Sequence, residues 1–181
     1  MDKTQKQLID SYFRKRKITI EQPEQVYEHY EIVYMLKNNI YVDVSNLYSD
    51  DIQLILLQDP SLVDKFDLNK LNDQDIWIII SKQPSLINRF DLSKLDGYAI
   101  MRILVEQPLL IDKLNISKLD NRNISQILEL QPSLVDKFDL SKFEDNDIKK
   151  LLVKQPSLTD KLNLSKVDRY INYINNNYSH V

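Results

Sequence analysis

Cysteine is absent from the chain, and histidine occurs only at His29 and His180. Disulfides, thiolate metal sites and a cysteine nucleophile are therefore excluded, and too few imidazoles remain for a histidine metal site; no metal, no cofactor and no catalytic residues are expected. Glycine occurs once, at Gly97, so there is no flexible glycine linker and no Gly-rich phosphate loop. No apolar run approaches the roughly 18 residues of a membrane span. The opening residues Met1-Asp2-Lys3-Thr4-Gln5-Lys6 lack the apolar stretch of a signal peptide, and the expectation is a soluble, cytoplasmic protein with no membrane partner. An excess of basic charge is missing too. The formal charge is -3, against a dedicated DNA binder, which needs a clearly basic protein or face to neutralise phosphates. That charge is unevenly placed: residues 1 to 22 hold six cations against Asp2, Asp10 and Glu21, and the acidic excess lies in the remainder.

What the chain does contain is a repeat. Prolines recur at Pro60, Pro84, Pro108, Pro132 and Pro156, one every 24 residues, and an internal period of that size dictates the architecture before any other pattern. Copies begin at Leu47, Leu71, Leu95, Leu119 and Phe143, and Val167 opens a truncated sixth. The segment Val42-Asp43-Val44-Ser45-Asn46 echoes the Phe-Asp-Leu-Ser-Lys ending of later copies, so residues 23 to 46 read as a degenerate leading repeat.

The third position of each copy is Ser49, Asp73, Gly97, Asn121 or Asp145, residue types that favour a helix N-cap. A helix is predicted from there. Ile52, Ile76, Ile100, Ile124 and Ile148 hold one place in it, and apolar pairs follow three and four residues on (Ile55/Leu56, Ile79/Ile80, Ile103/Leu104, Ile127/Leu128, Leu151/Leu152); this is the core-facing stripe of a helix. Proline then ends that helix and suits the first turn of a second, short one, as from Pro84 to Phe90. An Asp/Asn-Leu/Ile-Ser/Asn-Lys turn, such as Asp91-Leu92-Ser93-Lys94, closes the unit as 3₁₀ or irregular structure capped by its Asp or Asn. The apolar burial available to one copy does not exceed the entropy of ordering it, so copies must stack on one another and need capping ends. The predicted organisation is an N-terminal cap over residues 1 to 46, five repeats over 47 to 166 and a C-terminal cap over 167 to 181.

The 24-residue period, the helix-proline-helix layout and the Gln-Pro-Ser-Leu core at Gln83, Gln131 and Gln155, with Asp59-Pro60-Ser61-Leu62 and Gln107-Pro108-Leu109-Leu110 as variants, resemble leucine-rich repeat variant proteins. That resemblance covers residues 47 to 166 and implies an all-α, right-handed superhelical solenoid that alternates α with 3₁₀ helices. The family's second proline is missing, as are cysteines for an iron–sulfur cluster, so the resemblance implies no activity. The Asn-, Ile-, Lys- and Asp-rich usage also resembles repeat proteins of AT-rich phage or bacterial genomes.

Positions that recur in every copy are explained by stacking; those that vary are open to other duties. Opposite the isoleucine stripe, one row reads Leu54, Ile78, Arg102, Gln126, Lys150, a second Leu57, Ser81, Val105, Glu129, Val153, and a flanking one Gln53, Trp77, Met101, Ser125, Lys149. The first three copies thus place Leu54, Leu57, Trp77, Ile78, Tyr98, Met101 and Val105 on an outer or groove-lining surface, with Arg102 and Tyr98 at the rim. An apolar patch rimmed by charge marks an interaction site, and a protein partner is the leading expectation. The competing reading folds the tyrosine-rich residues 1 to 46 back over this face. Two cation ladders, Lys65/Arg89/Lys113/Lys137/Lys161 and Lys70/Lys94/Lys118/Lys142/Lys166, and the basic run Arg14, Lys15, Arg16, Lys17 carry the alternative, a nucleic-acid-binding repeat protein. Against it, Asp64, Asp112, Asp136 and Asp160 immediately precede four cations of the first ladder, which reads as a salt-bridged, solvated face.

Overall fold

The computed structural model describes residues 28–161. Among the described residues all regular structure is helical, with no strand. The chain divides into two compact units, Met1–Phe90 and Asp91–Val181. In the first, helix α1 (His29–Lys37) packs against α2 (Ser49–Gln58), and α2 against α3 (Asp73–Lys82). In the second, α4 (Gly97–Glu106) packs against α5 (Asn121–Leu130), and α5 against α6 (Asp145–Lys154). From α2 onward each α-helix leads into a 3₁₀ segment that opens on proline, such as Pro84–Arg89 or Pro132–Lys137.

The helix starts are as expected to within one residue. Asp73, Gly97 and Asn121 are the first helical residues, and the caps are their predecessors. The side chains of Asn72, Asp96 and Asp120 accept the backbone N–H of Asp75, Ala99 and Asn123 at 3.0, 2.7 and 2.7 Å. An N-cap residue is extended, with ψ near 175° here, and only that geometry lets a short side chain reach an amide three residues on. The reverse contact recurs where a bulkier residue, Tyr48 or Glu144, stands at the cap. Asp51 accepts the N–H of Tyr48 at 3.0 Å and Asp147 that of Glu144 at 3.3 Å.

From α2 onward each α-helix ends by the same device. The last helical bond in α3 runs from Gln83 N–H to the Ile79 carbonyl at 2.7 Å; Pro84 then offers no N–H, and the chain tightens to three-residue spacing with Leu86 N–H on the Gln83 carbonyl, the signature of a 3₁₀ turn. Phe90 leaves this segment extended and buried. The following turn is a three-residue 3₁₀ segment capped as expected: Asp67, Asp91, Asn115 and Asp139 accept the backbone N–H two residues on, at 3.0 to 3.2 Å.

The isoleucine stripe forms the core. Ile55, Leu56, Ile79, Ile80, Ile103, Leu104, Ile127 and Leu128 are all at 0% exposure, while Ile124 is half-buried. The leading segment departs from the repeat. Helix α1 buries Ile32 and Met35, but it ends through Asn39 in the left-handed region at φ 54°, a conformation asparagine tolerates. No 3₁₀ segment lies between it and α2. Its two ends are fastened to the neighbouring repeat, His29 Nε2 lying 2.8 Å from Asp51 and Lys37 Nζ 2.6 Å from Asp59. The C-terminal cap over 167 to 181 and the start of the N-terminal one fall outside the described residues.

Gly97, the sole glycine, sits at the first position of α4 with an ordinary negative φ. Its place is dictated by proximity. A Cβ there would stand 2.5 Å from the Lys118 carbonyl oxygen and 2.8 Å from Asn123 Oδ1. In the next copy the same place is held by Asn121, whose Nδ2 donates to the Lys142 carbonyl at 3.1 Å.

Candidate interaction surface

Within each unit, stacking places side chains beside residues about 25 positions earlier, and three sets of contacts exploit that offset. The glutamine before the proline donates to the carbonyl left over near the C-terminus of the preceding α-helix: Gln83 to Leu57 at 3.3 Å, Gln131 to Val105 at 2.8 Å and Gln155 to Glu129 at 2.6 Å. This satisfies acceptors that a helix end cannot satisfy internally. In the second cation ladder, Lys70 donates to the carbonyls of Ser45 and Leu47, and Lys118 to those of Ser93 and Leu95. In the first ladder Arg89 pairs with Asp64, Lys137 with Asp112 at 2.8 Å and Lys161 with Asp136 at 2.6 Å. The face is salt-bridged, but between copies: Arg89, Lys137 and Lys161 each take the aspartate one repeat earlier, not the one beside it in sequence. These pairs are largely exposed, so each contributes at most about 1 kcal/mol; their larger consequence is that the cations already have counter-charges.

The carboxylates that fasten α1 are held charged. For Asp51 and Asp59 the strongest single influence is burial, which opposes ionisation; for Asp51 the hydrogen bonds from His29 and the Tyr48 amide, and for Asp59 those from Lys37 and Ser61, together outweigh it. Both carboxyls therefore ionise below the usual aspartate range.

The predicted partner-binding residues divide between the units. In the first unit Leu54 on α2 is 43% exposed, and Trp77 and Ile78 on α3 are half-buried, all turned away from the stripe. In the second, Tyr98 on α4 is 56% exposed, and Arg102 and Val105 are half-buried, with Arg102 3.9 Å from Glu106 one turn on. Met101 departs from expectation: it is only 4% exposed. Its place lies one residue, about 100°, from Ile100 at the edge of the core stripe, and in α4 it is buried with Ala99, Ile100, Ile103 and Leu104. The basic run Arg14, Lys15, Arg16 and Lys17 lies outside the described residues.

The periodicity held a further signal, in departures from the repeat's own pattern. Leu109 fills the place taken by serine in the other copies, and Leu130 the place of Gln58, Lys82, Glu106 and Lys154. They are 94% and 63% exposed, and Val153 is 64% exposed. Among the described residues no group of His, Asp and Glu is arranged to hold a metal ion, and no helix is long and apolar enough to cross a membrane.

No protein-family model, curated protein or solved structure matches the chain.

Proposed function

We propose that this protein is a non-enzymatic cytoplasmic scaffold, acting as an adaptor or inhibitor, phage- or bacterium-encoded, that grips a protein partner through the variable outer positions of its stacked helices. The observation that carries this reading is exposed apolar surface at places the repeat leaves free. In the first unit Leu54 remains largely in solvent with Trp77 and Ile78 half-buried, and in the second Tyr98 does so with Arg102 and Val105 half-buried, while the apolar pairs common to all copies are buried. Aromatic and aliphatic groups so placed gain by being covered. The likeness to leucine-rich repeat variant proteins extends the proposal to a right-handed superhelical solenoid of five repeats with capped ends, and lends no activity.

Nucleic-acid binding through Arg14 to Lys17 and the ladders has less support, because the cations of Arg89, Lys118, Lys137 and Lys161 are already committed to carboxylates and carbonyls. The test is affinity capture from host lysate, with and without nuclease, by the wild-type chain and by Leu54→Asp and Trp77→Ala variants. A discrete protein is expected to survive nuclease and to be retained at least tenfold less by both variants, with Leu54→Asp folding normally. Retention unchanged by Leu54→Asp, together with unfolding of Trp77→Ala, would place these side chains in a structural role and overturn the assignment.

A further inference from the structure

We infer that the Asp96–Gly97 bond is a site of spontaneous isoaspartate formation, held closed while α4 is capped and released when the first turn of α4 opens. The inference is independent of the scaffold reading above. An aspartyl bond rearranges when the amide nitrogen of the following residue attacks the protonated side-chain carboxyl. A C–N bond forms, the nitrogen gives up its proton, the carboxyl C–O bond breaks and water leaves, closing a five-membered succinimide. Water then adds back at either ring carbonyl, giving aspartate or isoaspartate with no net change in mass. A side chain on the following residue obstructs the attack, and glycine has none. Asp96–Gly97 is the only place in the chain where an aspartate or asparagine precedes glycine. The same place in the other copies is Tyr48-Ser49, Asn72-Asp73, Asp120-Asn121 and Glu144-Asp145, each with a side chain on the second residue.

Packing demands the labile pair. A Cβ at Gly97 would stand 2.5 Å from the Lys118 carbonyl oxygen, so position 97 cannot gain a side chain without disturbing the stack, and an aspartate is the cap that α4 uses just before it. The native geometry blocks the reaction instead. Ring closure needs the Asp96 Cβ and the Gly97 nitrogen eclipsed about the Cα–C bond; with ψ at 175° they are staggered, roughly 60° from that alignment. Rotation through that angle is opposed on both sides. Oδ1 of Asp96 accepts the Ala99 N–H at 2.7 Å and the Asp96 carbonyl accepts the Ile100 N–H at 3.1 Å, which ties the residue to the first turn of α4. Ahead of it Leu95 is fully buried, and its carbonyl accepts Lys118 Nζ at 2.6 Å. Attack therefore requires that turn to open, a local unfolding event. Isoaspartate carries the main chain through Cβ, which inserts one methylene between Leu95 and Gly97 and leaves the carboxyl directly on Cα. The cap on Ala99 is then lost and the close passage of Gly97 past Lys118 is out of register, so a transient opening becomes permanent damage.

The test ages the full chain at neutral pH in native buffer and in guanidinium chloride, and locates isoaspartate by enzymatic methylation of its carboxyl and by peptide mapping with electron-transfer fragmentation. In denaturant Asp96 is expected to convert faster than any other aspartate or asparagine of the chain, and in native buffer at least tenfold more slowly than in denaturant. Gly97→Ala should slow the rate in denaturant at least fivefold, a reading that needs no folded variant. Lys118→Met keeps the aliphatic stem but removes the bond to the Leu95 carbonyl; it should raise the rate in native buffer at least threefold and leave the rate in denaturant unchanged. Wild type in rising, sub-denaturing guanidinium chloride gives the same reading without a variant, its rate climbing toward the unfolded one. Isomerised protein, separated and refolded, should melt at least about 3 °C below the unaged chain. Equal rates in the two solutions, earlier conversion at another residue in denaturant, a rate in native buffer indifferent both to Lys118→Met and to added denaturant, or an isomerised chain as stable as wild type overturns the inference.

Discussion

Gly97→Ala is expected to destabilise the protein, against the usual direction for that change near a helix start. Elsewhere, replacing glycine by alanine at a compatible backbone position gains about 0.4–1 kcal/mol by restricting the unfolded chain, and φ at Gly97 is compatible. The obstacle is spatial. The added Cβ would meet the Lys118 carbonyl oxygen at 2.5 Å and Asn123 Oδ1 at 2.8 Å. The carbonyl is backbone and cannot turn aside, and Asn123 Oδ1 accepts the Asp120 N–H at 3.3 Å, so swinging it away gives up that bond. Overpacking of this kind costs about 1–3 kcal/mol, which outweighs the entropic gain and leaves a net loss of about 1–2 kcal/mol. For a chain of this length that corresponds to a fall in Tm of roughly 2–8 °C. Thermal unfolding followed by circular dichroism measures it, with Asn121→Ala as the control in which a Cβ is already accommodated. A Gly97→Ala variant as stable as wild type, or more stable, would refute the argument that close approach of the Lys118 carbonyl selects glycine.

The two remaining predictions concern contacts between neighbouring copies. Gln131→Leu and Gln155→Leu each orphan a helix-end carbonyl, that of Val105 and of Glu129; each should lower urea stability by about 1–2 kcal/mol, and the pair nearly additively because they serve different acceptors. Asp51→Asn with Asp59→Asn should lower stability at neutral pH and lose that deficit in acid. Both native pKa values lie below the ordinary 3.8, so the unfolded chain takes up protons first; the stabilisation is complete above about pH 4 and disappears as pH falls through the native values. Melts of wild type and variant should therefore draw together as the pH is lowered below about 4, and a gap that does not narrow on acidification would refute the linkage.

How much of this was legible beforehand follows from the range over which each interaction acts. The helices, their ends and the turn caps are set within four residues of themselves: proline removes an N–H, Asn72 or Asp96 reaches an amide three residues on, and an isoleucine stripe at helical spacing declares its own buried face. The sequence therefore determined the helical repeat, with only a one-residue displacement of the caps, because a serine, aspartate or asparagine serves about equally well as cap or first residue. The exposed leucines were also written there, as departures from the repeat's own pattern. Other features depended on residues brought close by packing. Aspartates adjacent to lysines in sequence pair instead with cations one copy away, since the neighbour across the stack is nearer than the neighbour along the chain. Met101, at the edge of the α4 stripe, is buried by the packing around it, and Gly97 is required because the Lys118 carbonyl passes beside it. The local chemistry of 24 residues fixes what each copy forms. Which side chains are left in solvent, and which charges are left without a counter-charge, was decided only when the copies packed together.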